Sequence, residues 1–412
     1  MKTLIRDAVK DKRILIWGYG REGKASERYI KEQCHPKSVE IFEGKIEDIL
    51  ESEYDMIIKS PGIVMQEYEP CDKKKYTSQT ELFLNQYRDQ VIGITGTKGK
   101  STTSAMMAHV LRQCTDRPVI LLGNIGFPCM DYCEEIGEDT IIVFELSCHQ
   151  MQHTNVSPHI AVFLNLFEDH LDYYHSMDSY FLAKSRITTS QVEGDYFYKG
   201  ENVPDIETKA ETRIIRNDEV VDIPLKVYGE HNEFNATVVR SIARDIYGCE
   251  DADITQALES FSGLAHRLQN IGTYGGITWY DDSISTIPEA AIGALNSIPD
   301  VKTILIGGMD RGIDYHILEE YMAENGQFNY ICMYESGKRV HDEFLYRYPQ
   351  YRNAGADRCV VYVNDLATAV KKAAQVTPAG CGCVLSPAAA SYGYFKNFEE
   401  RGDVFARLVK EI

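Results

Sequence analysis

The stretch Val91-Ile-Gly-Ile-Thr-Gly96-Thr-Lys-Gly99-Lys100-Ser101-Thr102 decides how the chain is read. Val91–Thr95 is a short β-rich apolar run, the next residues form a glycine-rich loop, and Thr103–Arg112 reads as a helix. In such a strand–loop–helix unit, backbone amides cradle phosphates, a lysine reaches the terminal phosphates and a hydroxyl holds Mg²⁺. The general pattern G-x-x-x-x-G-K-[ST] would place its first glycine at position 94, which is Ile94 here, so the loop is a variant with Gly96 instead. Gly96, Thr97, Lys98, Gly99, Lys100, Ser101 and Thr102 are therefore candidate ATP-binding residues, set against a chance Gly-Lys-Ser turn.

Such a loop needs acids to complete a metal site, and the following strands end in them. Ile141-Ile-Val-Phe-Glu145 places a carboxylate where Walker-B-type acids reach Mg²⁺, although an acid ending a buried strand is often only a satisfied polar group. Asn165-Leu-Phe-Glu-Asp169-His170-Leu-Asp172 ends another apolar run with acids beside an imidazole, a set suited to a second divalent ion. Ala183-Lys184-Ser185-Arg186 puts two cations on a helix; taken alone, Lys184 reads as a solvated surface residue. Asn232 and Asn235 are spaced i, i+3 and share a helix face able to read a purine edge, with capping as the plainer role.

Towards the N-terminus, Gly18-Tyr-Gly20-Arg-Glu-Gly23 follows the strand Ile14–Trp17 and opens a helix, and Glu43 closes the next strand. This satisfies the dinucleotide fingerprint, though a nucleotide sugar could use the turn as readily as NAD. Ser60-Pro-Gly62 makes a second turn at the same sheet edge. Apolar runs recur at Val39–Phe42, Met56–Ile58, Val119–Leu122, Ile160–Asn165, Thr303–Ile306, Tyr330–Tyr334, Cys359–Val363 and Cys383–Ser386, alternating with helical stretches. That alternation predicts an α/β fold of mostly parallel sheets in three domains, 1–88, 89–263 and 264–412, with Gly263-Leu264 as a hinge. Segment 193–228 is charged and irregular and reads as a small antiparallel insert or connection.

Composition narrows the function class. Of 412 residues, 43 are Lys or Arg and 62 Asp or Glu, a net charge of −19 that disfavours nucleic-acid or anionic-membrane binding. No apolar run reaches the roughly 18 residues of a membrane span, and the first residues lack the apolar core of a signal peptide. The 11 cysteines then read as reduced thiols in a cytoplasmic protein, and none shows paired metal-ligand spacing.

Taken in order, these elements resemble the Mur ligase family of ATP-dependent amide-forming enzymes. The resemblance rests on Thr95–Thr102, Gly123-Asn124-Ile-Gly126, Glu145-Leu-Ser147, Glu168-Asp-His170-Leu-Asp172, Ala183-Lys184, Gly229-x-His231-Asn232-x-x-Asn235 and His266-Arg267. Within the family the chain is most similar to members that add glutamate to UDP-N-acetylmuramoyl-L-alanine. Leu385-Ser-Pro-Ala-Ala-Ala-Ser391-Tyr-Gly-Tyr-Phe395-Lys-Asn-Phe398, Trp279-x-Asp281-Asp282-Ser283 and Gly307-Gly308-x-Asp310-Arg311 carry that likeness.

The resemblance implies a Rossmann-like first domain, a central P-loop ATPase domain and a Rossmann-like third domain for the amino acid. It implies that Gly18, Gly20, Gly23, Glu43, Ser60, Asn124, Ser147 and His170 face the UDP substrate. Asn235 and Arg267 would hold the nucleotide, with Asp282 on its ribose. Ser101 and Glu145 would bind a first Mg²⁺ (or Mn²⁺), and His170 and a carbamylated Lys184 a second. Lys100, His170 and Lys184 would be catalytic, Ser391 and Phe398 would hold the glutamate side-chain carboxylate, and Thr286 and Arg311 its other carboxylate. It further implies a cytoplasmic monomer acting on small molecules in peptidoglycan precursor synthesis, with an acyl phosphate as intermediate.

Three positions depart from the family pattern. Asp282-Ser283-Ile284 stands where Asp-Ser-Lys is common, Arg311 where a lysine is also found, and Cys148-His149 is an unusual pair after Ser147. They bear on amino-acid specificity, D- against L-glutamate, more than on reaction type. A ligase with another acceptor, such as a folylpolyglutamate synthase, is an alternative, as is a non-catalytic nucleotide-binding subunit. A dehydrogenase built on the first glycine turn would leave the ATPase motifs idle.

Overall fold

The computed structural model describes residues 4–63, 73–123, 128–220, 223–227, 230–353 and 360–412. Three sheets follow one another along the chain. The first has β1 (Arg13–Trp17), β2 (Ser38–Phe42), β3 (Met56–Lys59) and β4 (Tyr76–Thr77), in the order β2-β1-β3-β4 and parallel throughout.

The second sheet contains β5 (Val91–Thr95), β6 (Val119–Gly123), β7 (Ile141–Glu145), β8 (Ile160–Phe163), β9 (Tyr196–Gly200) and β10 (Glu211–Ile215). Its order is β10-β9-β8-β5-β7-β6, again parallel, so β5 lies between β8 and β7. β5, β7 and β8 are buried along their whole length, which is why they read as continuous apolar runs rather than alternating ones.

The third sheet is built from β11 (Gln269–Tyr274), β12 (Ile277–Asp281), β13 (Val301–Ile306), β14 (Asn329–Met333), β15 (Val360–Val363) and β16 (Gly382–Leu385), ordered β11-β12-β16-β13-β14-β15. Successive residues face opposite layers: Ile304 and Ile306 pack with Tyr330, Phe344 and Val384, whereas Leu305 packs with Trp279, Cys383 and Phe405. Burying each such side chain contributes roughly 1.5–3 kcal/mol.

By packing, the chain forms two compact units. One runs through Ile223 and takes in His231–Leu258; the other comprises Pro224–Glu230 and Glu259–Ile412. The first two sheets share the first unit and one continuous core, in which Phe83 meets Phe144 edge to face at 5.4 Å.

Segment 193–228 corrects the expectation of an antiparallel insert. β9 and β10 pair in parallel and extend the second sheet, with Glu211 opposite Tyr196. Four of the five β10 residues are partly or fully exposed, so this edge strand lacks the apolar run that marks the interior strands. The third sheet is mostly parallel, as the alternation predicts, with β11 and β12 forming an antiparallel hairpin at its edge. The helix after the glycine loop begins earlier than its sequence pattern, at Lys100, and runs to Cys114.

The glycine turn after β1 tests the packing. A Cβ on Gly23 would sit 2.2 Å from the Gly18 carbonyl oxygen, whereas one on Gly20 would meet nothing within 4 Å among the described residues. Alanine in a helix normally gains about 0.5–1 kcal/mol over glycine, and a backbone clash of this depth outweighs that. Gly23→Ala is expected to lower the melting temperature by several degrees and Gly20→Ala to leave it nearly unchanged, as read by thermal unfolding.

Candidate active site

The glycine loop leaves β5 at Gly96, whose φ is 155°, and enters the helix Lys100–Cys114 through Gly99 at φ 85°, a left-handed N-cap. A Cβ at Gly99 would lie 2.8 Å from Asn235 Oδ1, so glycine admits that side chain to the loop. Asn235 is buried on the helix Glu230–Asp245 and donates to Asn232 Oδ1 at 3.1 Å, placing both amides on one face as their spacing requires.

The loop is braced by a residue that sequence reasoning did not single out. Asn165 follows β8, the strand beside β5, and its Oδ1 accepts from Thr97 N at 3.1 Å and Lys98 N at 2.9 Å. Its Nδ2 donates to Lys98 O at 3.0 Å. An asparagine at a strand end is too common a feature to mark; only the strand order brings it to the loop.

Two lysines converge on the Gly96 carbonyl. Lys100 Nζ donates to Gly96 O and Thr97 O, each at 2.9 Å, and Lys184 Nζ donates to Gly96 O at 2.7 Å. Lys184 lies on the helix Met177–Ser185, is 1% exposed, and sits 4.8 Å from the centre of the Tyr180 ring. It is therefore no solvated surface cation. Burial, with Lys100 nearby as a lesser cause, holds its pKa down at about 7.

Glu145 ends β7 fully buried, its backbone in register with Ile94 of β5. Ser101 and Thr102 are half-buried in the first turn of the loop helix. His170 has φ 54°, a left-handed conformation uncommon outside glycine, and caps the short helix Leu171–Tyr174. Its ring lies 5.2 Å from that of His149 and 6.0 Å from that of Tyr180. Burial lowers the His149 pKa to about 4.

Among the described residues, no group of three or more His, Cys, Asp or Glu side chains is arranged to hold a metal. Ser101 and Glu145 nevertheless supply hard oxygen donors beside a phosphate-type loop, which suits Mg²⁺ shared with nucleotide phosphates. Lys184 fits such a set only if its amine becomes an oxygen donor.

At the first sheet, Gly18 has φ 92° and accepts from Ser60 Oγ at 2.8 Å, so the two turns at this edge are tied together. Gly20 caps the helix Arg21–Gln33, and Glu43 is exposed just beyond β2. Ser147 caps the helix Cys148–Met151 in a capping box with Gln150. Asn124 lies outside the described residues.

The second unit holds the remaining expected residues. Asp282, just after β12, accepts from the hydroxyls of Ser285 and, at 2.7 Å, Ser386; burial raises its pKa to about 6. Thr286, Arg311 and Ser391 stand on the turns after β12, β13 and β16, three adjacent strands. Ser391 is buried and Arg311 exposed, while Phe398 opens the helix Phe398–Lys410. These turns are joined by Arg401, another residue the sequence reading missed. Fully buried, it donates to Ser283 Oγ at 2.9 Å, Ser283 O at 2.7 Å and Ala389 O at 3.1 Å. Arg267 is exposed just before β11, and Phe398 O accepts from Ser283 Oγ at 2.8 Å.

Comparison with known proteins places this arrangement. The model of the Mur ligase middle domain matches residues 94–198. The chain is 32% identical to the UDP-N-acetylmuramoylalanine–D-glutamate ligase of Aquifex aeolicus, covering 97% of this chain and 98% of that one. The chain belongs to the Mur ligase family. This Mur ligase is also 31% identical to the Streptococcus agalactiae enzyme of the same name, over 98% of both chains. It is 29% identical to a UDP-N-acetylmuramoyl-L-alanine–L-glutamate ligase of Micromonospora, over 98% of this chain and 97% of that one. In fold it resembles MurF of Thermotoga maritima in complex with ADP (TM-score 0.58, 16% identity, all of both chains). It also resembles MurC of the same organism (TM-score 0.56, 19% identity, 96% of this chain and 98% of that one).

Two outcomes follow for this Mur ligase. Asn165→Ala removes three hydrogen bonds from the loop and is expected to raise the KM for ATP about tenfold or more, measured by phosphate release. In the second unit, Asp281 Oδ2 pairs with His266 Nδ1 at 2.7 Å and raises the histidine pKa. A raised pKa means the pair's stabilisation is complete below the ordinary histidine value and is lost as pH rises through the folded value. The melting-temperature deficit of Asp281→Asn should therefore shrink as pH rises above about 6.5, the ordinary histidine value.

Proposed function

We propose that this chain is an ATP-dependent ligase that joins D-glutamate to UDP-N-acetylmuramoyl-L-alanine in peptidoglycan precursor synthesis. The observation that carries the reading is the convergence of Lys100 and buried Lys184 on Gly96 O, at the head of a phosphate-type loop braced by Asn165. Its support is the near full-length similarity to D-glutamate ligases.

A carboxylate is a poor acyl donor, so its oxygen first attacks the γ-phosphorus of ATP and ADP departs, leaving an acyl phosphate. The loop amides of Gly96–Gly99 and the Lys100 ammonium bind the transferring phosphates and offset the charge that develops on their oxygens. The glutamate amine, having lost its proton, then attacks the acyl carbon, and phosphate leaves from the tetrahedral intermediate. Asn235, packed on the loop, would contact the nucleotide, with Arg267 and Asp282 as further contacts. Gly18, Gly20, Gly23, Glu43, Ser60, Asn124, Ser147 and His170 would face the UDP substrate. Thr286, Arg311, Ser391 and Phe398 would bind the amino acid; an arginine at position 311 can grip a carboxylate bidentately.

Ser101 and Glu145 would hold one Mg²⁺, and His170 with Lys184 a second. The ions, when bound, supply charge neutralisation on the phosphates. Lys184 reaches that role as a carbamate. With a pKa of about 7, a large share of its amine is uncharged near neutral pH. The free amine adds CO₂, releasing a proton and leaving an anionic oxygen donor.

L-Glutamate is the second reading, favoured by the Micromonospora relative and by Ile284 in place of a commonly found lysine. Phosphate release from ATP with UDP-N-acetylmuramoyl-L-alanine is measured with each enantiomer separately. Release with D-glutamate alone is expected; release with L-glutamate alone moves the enzyme to the second reading, and none with either overturns both. Lys184→Ala is expected to abolish turnover and to regain part of it with added short carboxylates. Full activity of that variant would refute the carbamate.

A further inference from the structure

A buried cation and a half-buried carboxylate with one buried oxygen stand at the carboxyl edge of the first sheet, and no motif assigns either. Lys59 is the last residue of β3 and is 5% exposed; its one hydrogen bond among the described residues is to Ser60 O at 3.1 Å. An ammonium has three donors, so two are left over. Glu22 lies in the first turn of the helix that follows the glycine turn. Its Oε1 accepts from Gln150 Nε2 at 2.8 Å, while Oε2 is buried with no hydrogen bond among the described residues. The two charges act on one another, yet no ion pair within 4 Å joins them among the described residues. Leaving such groups incompletely bonded is costly.

The position of the pair indicates what completes it. Lys59 adjoins Ser60, and Glu22 connects through Gln150 to Ser147, whose backbone N and Oγ both donate to Gln150 Oε1, at 2.9 and 3.0 Å. Ser60 and Ser147 are both residues expected to face the UDP substrate. A leftover donor and a leftover acceptor at one sheet edge call for a group that accepts from one and donates to the other. A sugar hydroxyl or an amide does both. A diphosphate does not: it only accepts, and the Glu22 carboxylate repels it, whereas the Gly18–Gly23 turn and its helix N-terminus suit it.

We propose that Lys59 and Glu22 form a recognition site for an uncharged hydroxyl or amide group in the sugar–lactoyl–alanyl part of the UDP substrate. The proposal rests on the ligase reading above. Lys59 donates to the group's oxygen, and Glu22 Oε2 accepts from its O–H or N–H. No proton changes hands. The site therefore acts on substrate affinity rather than on the chemical step.

The test uses Lys59→Met, close in volume, and Glu22→Gln, nearly isosteric, each first checked by its melting temperature. For either folded variant, the KM for UDP-N-acetylmuramoyl-L-alanine is expected to rise about tenfold or more, as for a lost charged hydrogen bond. The kcat should stay within about twofold, and the KM values for ATP and glutamate should not move. UDP alone, used as a competitive inhibitor, should bind the variants as it binds the unaltered enzyme, because it lacks the recognised group. An unchanged KM for the UDP substrate would reduce the pair to a structural role and overturn the proposal. Weaker UDP inhibition in step with the KM would assign Lys59 to the diphosphate and equally overturn it. Should the unaltered enzyme release no phosphate, the ligase reading fails by itself. Calorimetric titration with UDP-N-acetylmuramoyl-L-alanine then still decides the site, by whether the variants lose affinity.

Discussion

One carbonyl oxygen organises the first unit. Gly96 O receives both Lys100 and Lys184, and two ammonium groups on a single buried acceptor are in electrostatic conflict. Burial is the larger cause and the Lys100 ammonium a lesser one: together they disfavour the charged form of Lys184, and its pKa falls to about 7. The conflict persists because the loop cannot relax away, being fixed by glycines at φ 155° and 85° and by the Asn165 side chain.

That arrangement in turn requires β5 to lie inside the second sheet. With β8 on one side and β7 on the other, the loop meets Asn165 from one neighbour while Glu145 ends the other. Parallel strands deliver all their carboxyl ends to one edge, so residues far apart in sequence share it. The same logic operates in the first sheet, where the Gly18 and Ser60 turns meet through a hydrogen bond. It operates again in the third, where Arg401 ties the Ser283 turn to Ala389, beside Ser391.

Polar burial is distributed unevenly between these edges. Asp282 is saturated by two hydroxyls and a backbone amide of its own unit. Asn165 and Arg401 likewise spend their donors on turns, which gives rigidity. Lys59 and Glu22 differ in keeping unspent capacity, the property expected of groups that meet a ligand rather than one another.

The sequence by itself determined the α/β class, the buried strands, the glycine loop and the family. These are local signals: a buried parallel strand must be apolar along its length, and phosphate cradles need glycines at fixed spacing. It also showed Asn232 and Asn235 on one helix face. Only the tertiary structure decided that Lys184 is buried, that 193–228 adds parallel strands, and that Asn165, Arg401, Lys59 and Glu22 matter. Each of these depends on which strands are neighbours and on what covers a side chain. A lysine has the same local pattern on a surface as in a core, and burial alone changes its chemistry.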